Sequence, residues 1–129
     1  MKISTSRLDL APLSADSIDA LLAGDEPRLR ELTGATFPTP LAPPPLIEDV
    51  LPLVREQLKL YPETLGWWTW LTIDKATGKA TGASGFGGPP DEEGAVMIGY
   101  ATYPGANRKG FASEAAEALV QWALQQPGV

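Results

Sequence analysis

The stretch PGANRKGFASEAAEALVQWA, residues 104–123, decides how the rest of the chain is read. It begins with proline, holds two glycines, and carries Arg108 and Lys109, the last two cations of the chain. From Phe111 the pattern is helical: Phe111, Ala115, Ala118, Leu119 and Trp122 fall on one face, with Ser113, Glu114, Glu117, Gln121 and Gln125 on the other. Gln126-Pro127-Gly128 is a stop. A helix start exposes unpaired N–H groups and a partial positive charge. A glycine turn feeding such an end suits a phosphate or pyrophosphate. No acid intervenes between Glu93 and Glu114. The competing reading is an ordinary surface turn. Neither GxxxxGK[ST] nor GxGxxG occurs in this stretch.

Upstream the period changes from helical to alternating. WWTWLTID, 67–74, is rich in aromatic and β-branched residues and predicts a strand. KATGK, 75–79, predicts a tight turn, ATGASGFG, 80–87, an antiparallel partner strand, and AVMIGYATY, 95–103, a third strand. Nearer the start, Ser4 to Pro12 alternates, with Leu8 and Leu10 on one face. Ser14 predicts an N-cap for a helix carrying Ile18, Leu21 and Leu22, stopped by Gly24. A second helix has Pro27 in its first turn and ends at Gly34. Residues 35–45, with five prolines, read as a stiff connector or as a loop beside a pocket. Residues 46–61 predict a helix that Pro52 kinks or restarts. The order is that of one α/β (α+β) domain over 1–129: an N-terminal strand and helices in 1–62, then a meander and a loop-helix in 66–126.

Composition closes off several chemistries. The chain has 129 residues, no cysteine and no histidine, so thiol nucleophiles, a histidine base and Cys- or His-ligated metal are excluded, and no metal is expected. A net charge of −6 argues against a nucleic-acid surface. No apolar run approaches the roughly 20 residues of a membrane span, and the opening MKISTSRLDL lacks a signal-peptide core, so a cytoplasmic location is expected.

With these elements in order, the chain resembles the GNAT superfamily of acetyltransferases, and within it the branch of ribosomal-protein N-terminal acetyltransferases. The resemblance is carried by MIGYATYPGANRKGFASEA, 97–115, where Gly110 and Ala112 match [Q/R]-x-x-G-x-[G/A] and Asn107 departs from it. TSRLDLAPLSADSIDAL and WWTWLTIDKATGKATGASGFG are similar to the family's opening strand and helix and its hairpin. The resemblance implies a GNAT-like, mostly antiparallel sheet flanked by helices, and acetyl-CoA as co-substrate. It implies a diphosphate held by the amides of Arg108, Lys109, Gly110, Phe111, Ala112 and Ser113, and a pantetheine arm lying along Ala101, Thr102 and Tyr103. A primary amine, on a small molecule or a peptide, would attack the thioester directly in a ternary complex.

Two departures from the family pattern bear on catalysis. Where many relatives carry a glutamate base this chain has Met97, which leaves Glu93, Glu92 or a water chain as candidates, with Tyr100 as a second weak candidate beside the acetyl site. The family also continues with a strand, a helix and a hairpin. Stopping at Val129 implies a natural short form, a truncated piece or half of a complementary pair. The third strand would then be an open edge, for which a homodimer or a partner chain covering 95–103 is expected. A non-catalytic acyl-CoA-binding module and a structural or regulatory fragment stay open beside the enzyme. Trp68 and Trp70 either pack between layers or wall an acceptor pocket with the proline-rich loop.

Overall fold

A computed structural model describes residues 2–38, 41–43, 47–103 and 110–127. Strands β1 (Ile3–Ser4), β2 (Leu8–Pro12), β3 (Thr69–Asp74), β4 (Ala80–Phe86) and β5 (Ile98–Thr102) form one antiparallel sheet in the order β1-β2-β3-β4-β5. Helices α1 (Ala15–Ala23), α2 (Glu26–Thr33) and α3 (Leu51–Leu60) precede the meander, and α4 (Phe111–Leu124) follows it.

The sheet is covered on both faces because its strands alternate apolar side chains to each. Leu71, Ile73, Ala80 and Tyr103 pack with Leu13, Ile18, Leu21, Leu29, Leu51, Val54 and Leu58 of the three early helices and their flanks. Leu8, Leu10, Trp70 and Phe86 pack with Phe111, Ala115, Leu119 and Ala123 of α4. This two-sided burial leaves the four central residues of β3, Trp70 to Ile73, all buried, and the one polar side chain among them, Thr72, has its hydroxyl 2.8 Å from that of Thr81.

Local signals decide most boundaries. The Ser14 hydroxyl accepts from the Ser17 amide at 3.1 Å and caps α1, which Gly24 stops. Asp25 caps α2 at the Arg28 amide, with Pro27 in the first turn and Gly34 as the stop. Pro52 also lies in a first turn, so the expected long helix over 46–61 is instead a turn at 47–50 followed by α3. A proline in the first turn removes a donor that has no intrahelical partner there, so it starts a helix more readily than it kinks one.

Four other expectations shift. Residues 4–12 are two strands with a turn between them, not one. Pro62–Trp67 forms a 3-10 helix, so β3 begins at Thr69, and neither Trp67 nor Trp68 belongs to a strand. The third strand runs over Ile98–Thr102, shorter than 95–103. Leu22, expected on the buried face of α1, is exposed.

Candidate functional site

The site is assembled from the two ends of β5. Among the described residues this strand pairs only with β4 and forms the edge of the sheet. The Tyr103 amide donates to the Thr81 carbonyl and the Met97 carbonyl accepts from the Gly87 amide, so odd-numbered residues turn their backbone groups inward. By antiparallel alternation, the N–H and C=O of Ile98, Tyr100 and Thr102 face away from β4. Of the trio implied to hold a pantetheine arm, Thr102 therefore presents its backbone to the open side. Ala101 and Tyr103 are buried and turn theirs toward β4. The Tyr103 hydroxyl donates to the Ala42 carbonyl at 2.6 Å, and burial pushes its pKa well above the ordinary tyrosine range, so it stays protonated.

Past the C-terminal end of β5 stands the amino end of α4. Gly110 is its N-cap, at φ 76°, and no side chain of the cap residue bonds to the amides that follow. A left-handed φ without a capping side chain is what glycine supplies cheaply, and it leaves first-turn N–H groups available to an anion. Phe111 is buried against the sheet, while Ala112 and Ser113 are half-buried or exposed at the helix start. Arg108 and Lys109, the cations expected to strengthen this end, lie outside the described residues, as do Asn107 and the proline and glycine before it.

A cluster that sequence reading missed braces the same end. Glu114, in the first turn of α4, accepts from the Arg7 backbone amide at 3.0 Å, from Arg7 Nε at 2.7 Å and from the Thr5 hydroxyl. The Arg7 guanidinium lies 4.7 Å from the centre of the Phe111 ring. The Thr5 and Arg7 hydrogen bonds to the Glu114 carboxylate hold its pKa below the usual range. Thr5 and Arg7 stand 109 and 107 residues from Glu114, so no local spacing could reveal the contact.

This bracing is testable through its pH dependence. Because the folded pKa of Glu114 is depressed, its contribution is full above the ordinary carboxylate pKa of 4.5 and is lost as pH falls through the folded value. Arg7→Gln and Glu114→Gln in a double-mutant cycle are expected to show a coupling of about 0.5–1 kcal/mol at pH 7, half-exposure of the arginine keeping it small, and the coupling to shrink as pH falls through the folded pKa of Glu114. Urea melts of the four proteins over a descending pH series measure it; no coupling at pH 7 would refute the assignment.

At the N-terminal end of β5 the structure opens a cavity of about 390 Å³ between α3 and the β4–β5 pair. Val50, Leu53 and Val54 line one wall, Trp68 another, and Ala83, Ser84, Gly85 and Gly87 make a small-residue floor. Met97, Ile98, Gly99 and Tyr100 close the side toward the sheet edge. Val50, Leu53, Met97 and Tyr100 are all exposed, and the cavity accounts for apolar residues that a helix stripe or strand would otherwise bury.

The candidate residues are thereby separated. Trp68 lines the cavity and its indole N–H donates to the Thr64 hydroxyl at 2.9 Å. Trp70 is fully buried on the opposite face, its ring 5.5 Å from Trp122, and is not among the lining residues. Of the two readings, packing between layers or walling one pocket together, the second does not hold for the pair: Trp70 stands in β3, whereas Trp68 precedes the strand in irregular backbone after the 3-10 helix, so the rule that residues two apart share a face does not apply to them. Tyr100 lines the cavity. Glu92 and Glu93 sit in an exposed turn between β4 and β5, organised by the Asp91 carboxylate, which accepts from the Glu93 and Ala95 amides at 2.9 Å each. Neither lines the cavity. Among the described residues, no group of three or more His, Cys, Asp or Glu could hold a metal, and no helix is long and apolar enough to cross a membrane.

Comparison with known proteins places the fold among acetyltransferases. The chain is 33% identical over 130 residues to the "Uncharacterized N-acetyltransferase YjdG" of Bacillus subtilis strain 168, an alignment covering 98% of this chain and 74% of that one. Its fold is similar to that of an acetyltransferase from Salmonella typhimurium that modifies the N-terminal serine of ribosomal protein L7/L12, with TM-score 0.62, 16% identity and coverage of 100% and 71%. It is also similar to a GNAT-family acetyltransferase from Bacillus anthracis, with TM-score 0.55, 21% identity and coverage of 96% and 66%. The chain thus spans about two thirds to three quarters of the length of these relatives. A family model for the acetyltransferase (GNAT) domain matches residues 7–129, from the arginine that braces α4 onward, and the chain belongs to that family.

Proposed function

We propose that this domain transfers an acetyl group from acetyl-CoA to a primary amine by direct attack within a ternary complex. The observation that carries the reading is the placement of three features along β5: an uncapped helix start beyond one end, outward-facing backbone groups along the edge, and a cavity at the other end. A long ligand with a diphosphate, an amide-rich arm and a terminal thioester has that order of parts. The α4 amides and their Arg7–Glu114 brace would hold the diphosphate, and the outward groups of Thr102 and Tyr100 would pair with the arm. Acetyl-CoA supplies the electrophilic carbonyl; the chain supplies proximity, orientation and exclusion of water at the cavity.

Gly110→Asp tests the reading. It places a fixed carboxylate at the helix start and forces a side chain into a left-handed backbone, where a Cβ would also stand 3.2 Å from Arg7 Nη2. Coenzyme A affinity measured by calorimetry is expected to fall about 100-fold, the size of losing charge-assisted hydrogen bonds, whereas Gly110→Ala, which carries only the backbone strain, loses far less. Unchanged affinity in Gly110→Asp would overturn the proposal. Tight coenzyme A binding with no turnover of any amine would leave a non-catalytic acyl-CoA-binding module. The outward edge of β5 also suits a second copy of the chain, and such a dimer would compete with the ligand for the same backbone groups.

A further inference from the structure

Among the described residues, the cavity beside β5 presents no carboxylate to take a proton from a strongly basic amine. All sixteen acidic residues of the chain fall among the described residues, and none lines the cavity. The strands β4 and β5 carry no charged residue, and the charges on the other surrounding elements lie off the lining. Glu48 and Asp49 are exposed in the turn before α3, and Arg55, Glu56 and Lys59 stand on α3 outside the lining, with Arg55 held by Asp19 and Glu56. Glu63 is exposed on the 3-10 helix, and Asp91, Glu92 and Glu93 occupy the β4–β5 connection. Among the described residues Tyr100 is the one titratable residue in the lining, and the sequence contains no histidine or cysteine to act in its place.

From this lining we infer that the acceptor is a weakly basic primary amine attached to an apolar group, an inference that rests on the acetyl-transfer reading of the same cavity. Only a neutral amine attacks. Its nitrogen forms the new bond to the acetyl carbon, the C–S bond breaks, and the departing thiol takes up the proton that the nitrogen gives up. A site without a carboxylate must receive the amine already neutral. An α-amino group, with pKa about 8, is neutral in about one molecule in ten at pH 7, whereas a lysine amine, near 10.4, is neutral in fewer than one in a thousand. The wall adds to the discrimination. Val50, Leu53 and Met97 offer nothing to an ammonium ion and suit an aliphatic or aromatic substituent.

Three acceptors test this with the full chain and acetyl-CoA at pH 7: a dipeptide amide beginning with leucine, a methoxyaniline, and Nα-acetyl-lysine amide. The leucine compound is expected to exceed the lysine compound in kcat/KM by about 100-fold, and its pH profile to level off near 8, the pKa of the amine itself. The aniline separates a small apolar amine from a peptide terminus as the source; efficient transfer to either supports the inference. Met97→Glu, at a position 80% exposed and so harmless to the core, is expected to narrow the ratio at least tenfold by raising turnover of the lysine compound. Equal or better use of the lysine compound by the unaltered chain, or a profile inflecting at a pKa that belongs to the protein, would overturn the inference while leaving acetyl transfer standing. Transfer to none of the three would remove both.

Discussion

Trp70→Ala is expected to lower stability by about 4 kcal/mol, in the range for deleting a buried aromatic side chain. For a chain of this length that corresponds to a fall of about 15 °C in Tm, near the limit a marginally stable domain survives. The indole is fully buried at the centre of the α4 face and lies edge-on to Trp122 at 5.5 Å. Trp122 in turn meets Trp67 at 4.8 Å and Phe86 at 5.7 Å, so the missing ring would open a cavity among rings that cannot collapse without tilting together. The Trp70 indole N–H also donates to the carbonyl of buried Gly66 at 2.8 Å, and alanine would leave that carbonyl unpaired. Trp70→Phe keeps a ring against Trp122 and loses the hydrogen bond, and should cost roughly half as much. Thermal melts of the two variants give the answer, and a Trp70→Ala protein within 1 kcal/mol of the parent would refute this account of how α4 is docked.

Gly85→Ala is expected to cost about 3 kcal/mol or more, although it adds a single methyl group. A Cβ at this position would stand 2.0 Å from the Trp68 carbonyl oxygen, 2.9 Å from its carbon and 3.0 Å from the Thr69 Cα. All three are backbone atoms, so no rotamer change relieves the clash. The Trp68 carbonyl cannot move freely, because it accepts from the Phe86 amide at 2.9 Å in holding β4 to the start of β3. Relief requires spreading the strands where they floor the cavity, so any folded Gly85→Ala protein should also show altered acceptor KM with coenzyme A affinity retained. Urea unfolding measures the first effect and steady-state kinetics the second. A loss below about 0.5 kcal/mol, the level of an innocuous surface change, would mean the strands are farther apart than described here.

How much of this was legible beforehand follows from where each signal resides. The caps Ser14 and Asp25, the stops Gly24 and Gly34, and the periodicity of α4 are local chemistry, and the sequence determined them by itself. The antiparallel meander was legible for the same reason, since strand, turn and strand follow each other within a few residues. The start of β3 was not. Trp67 and Trp68 have strong strand propensity, but Trp67 ends the 3-10 helix and Trp68 follows it, held there by tertiary contacts that outweigh propensity: Trp67 against Phe86 and Trp122, and Trp68 hydrogen-bonded to Thr64. The exposed apolar residues Val50, Leu53 and Met97 read as ordinary stripe and strand positions until α3 and β5 stood on either side of one cavity.

What tertiary structure alone decided is the identity of the neighbours. The sequence showed an acid in the first turn of α4 but not that Arg7, more than a hundred residues earlier, neutralises it and rests on Phe111. It showed sixteen carboxylates but not that all of them stay off the cavity wall. Propensity and capping act over a turn or two of chain and are written locally. The charge a bound amine would meet depends on which side chains converge in space, and only packing the helices against both faces of the sheet settles that.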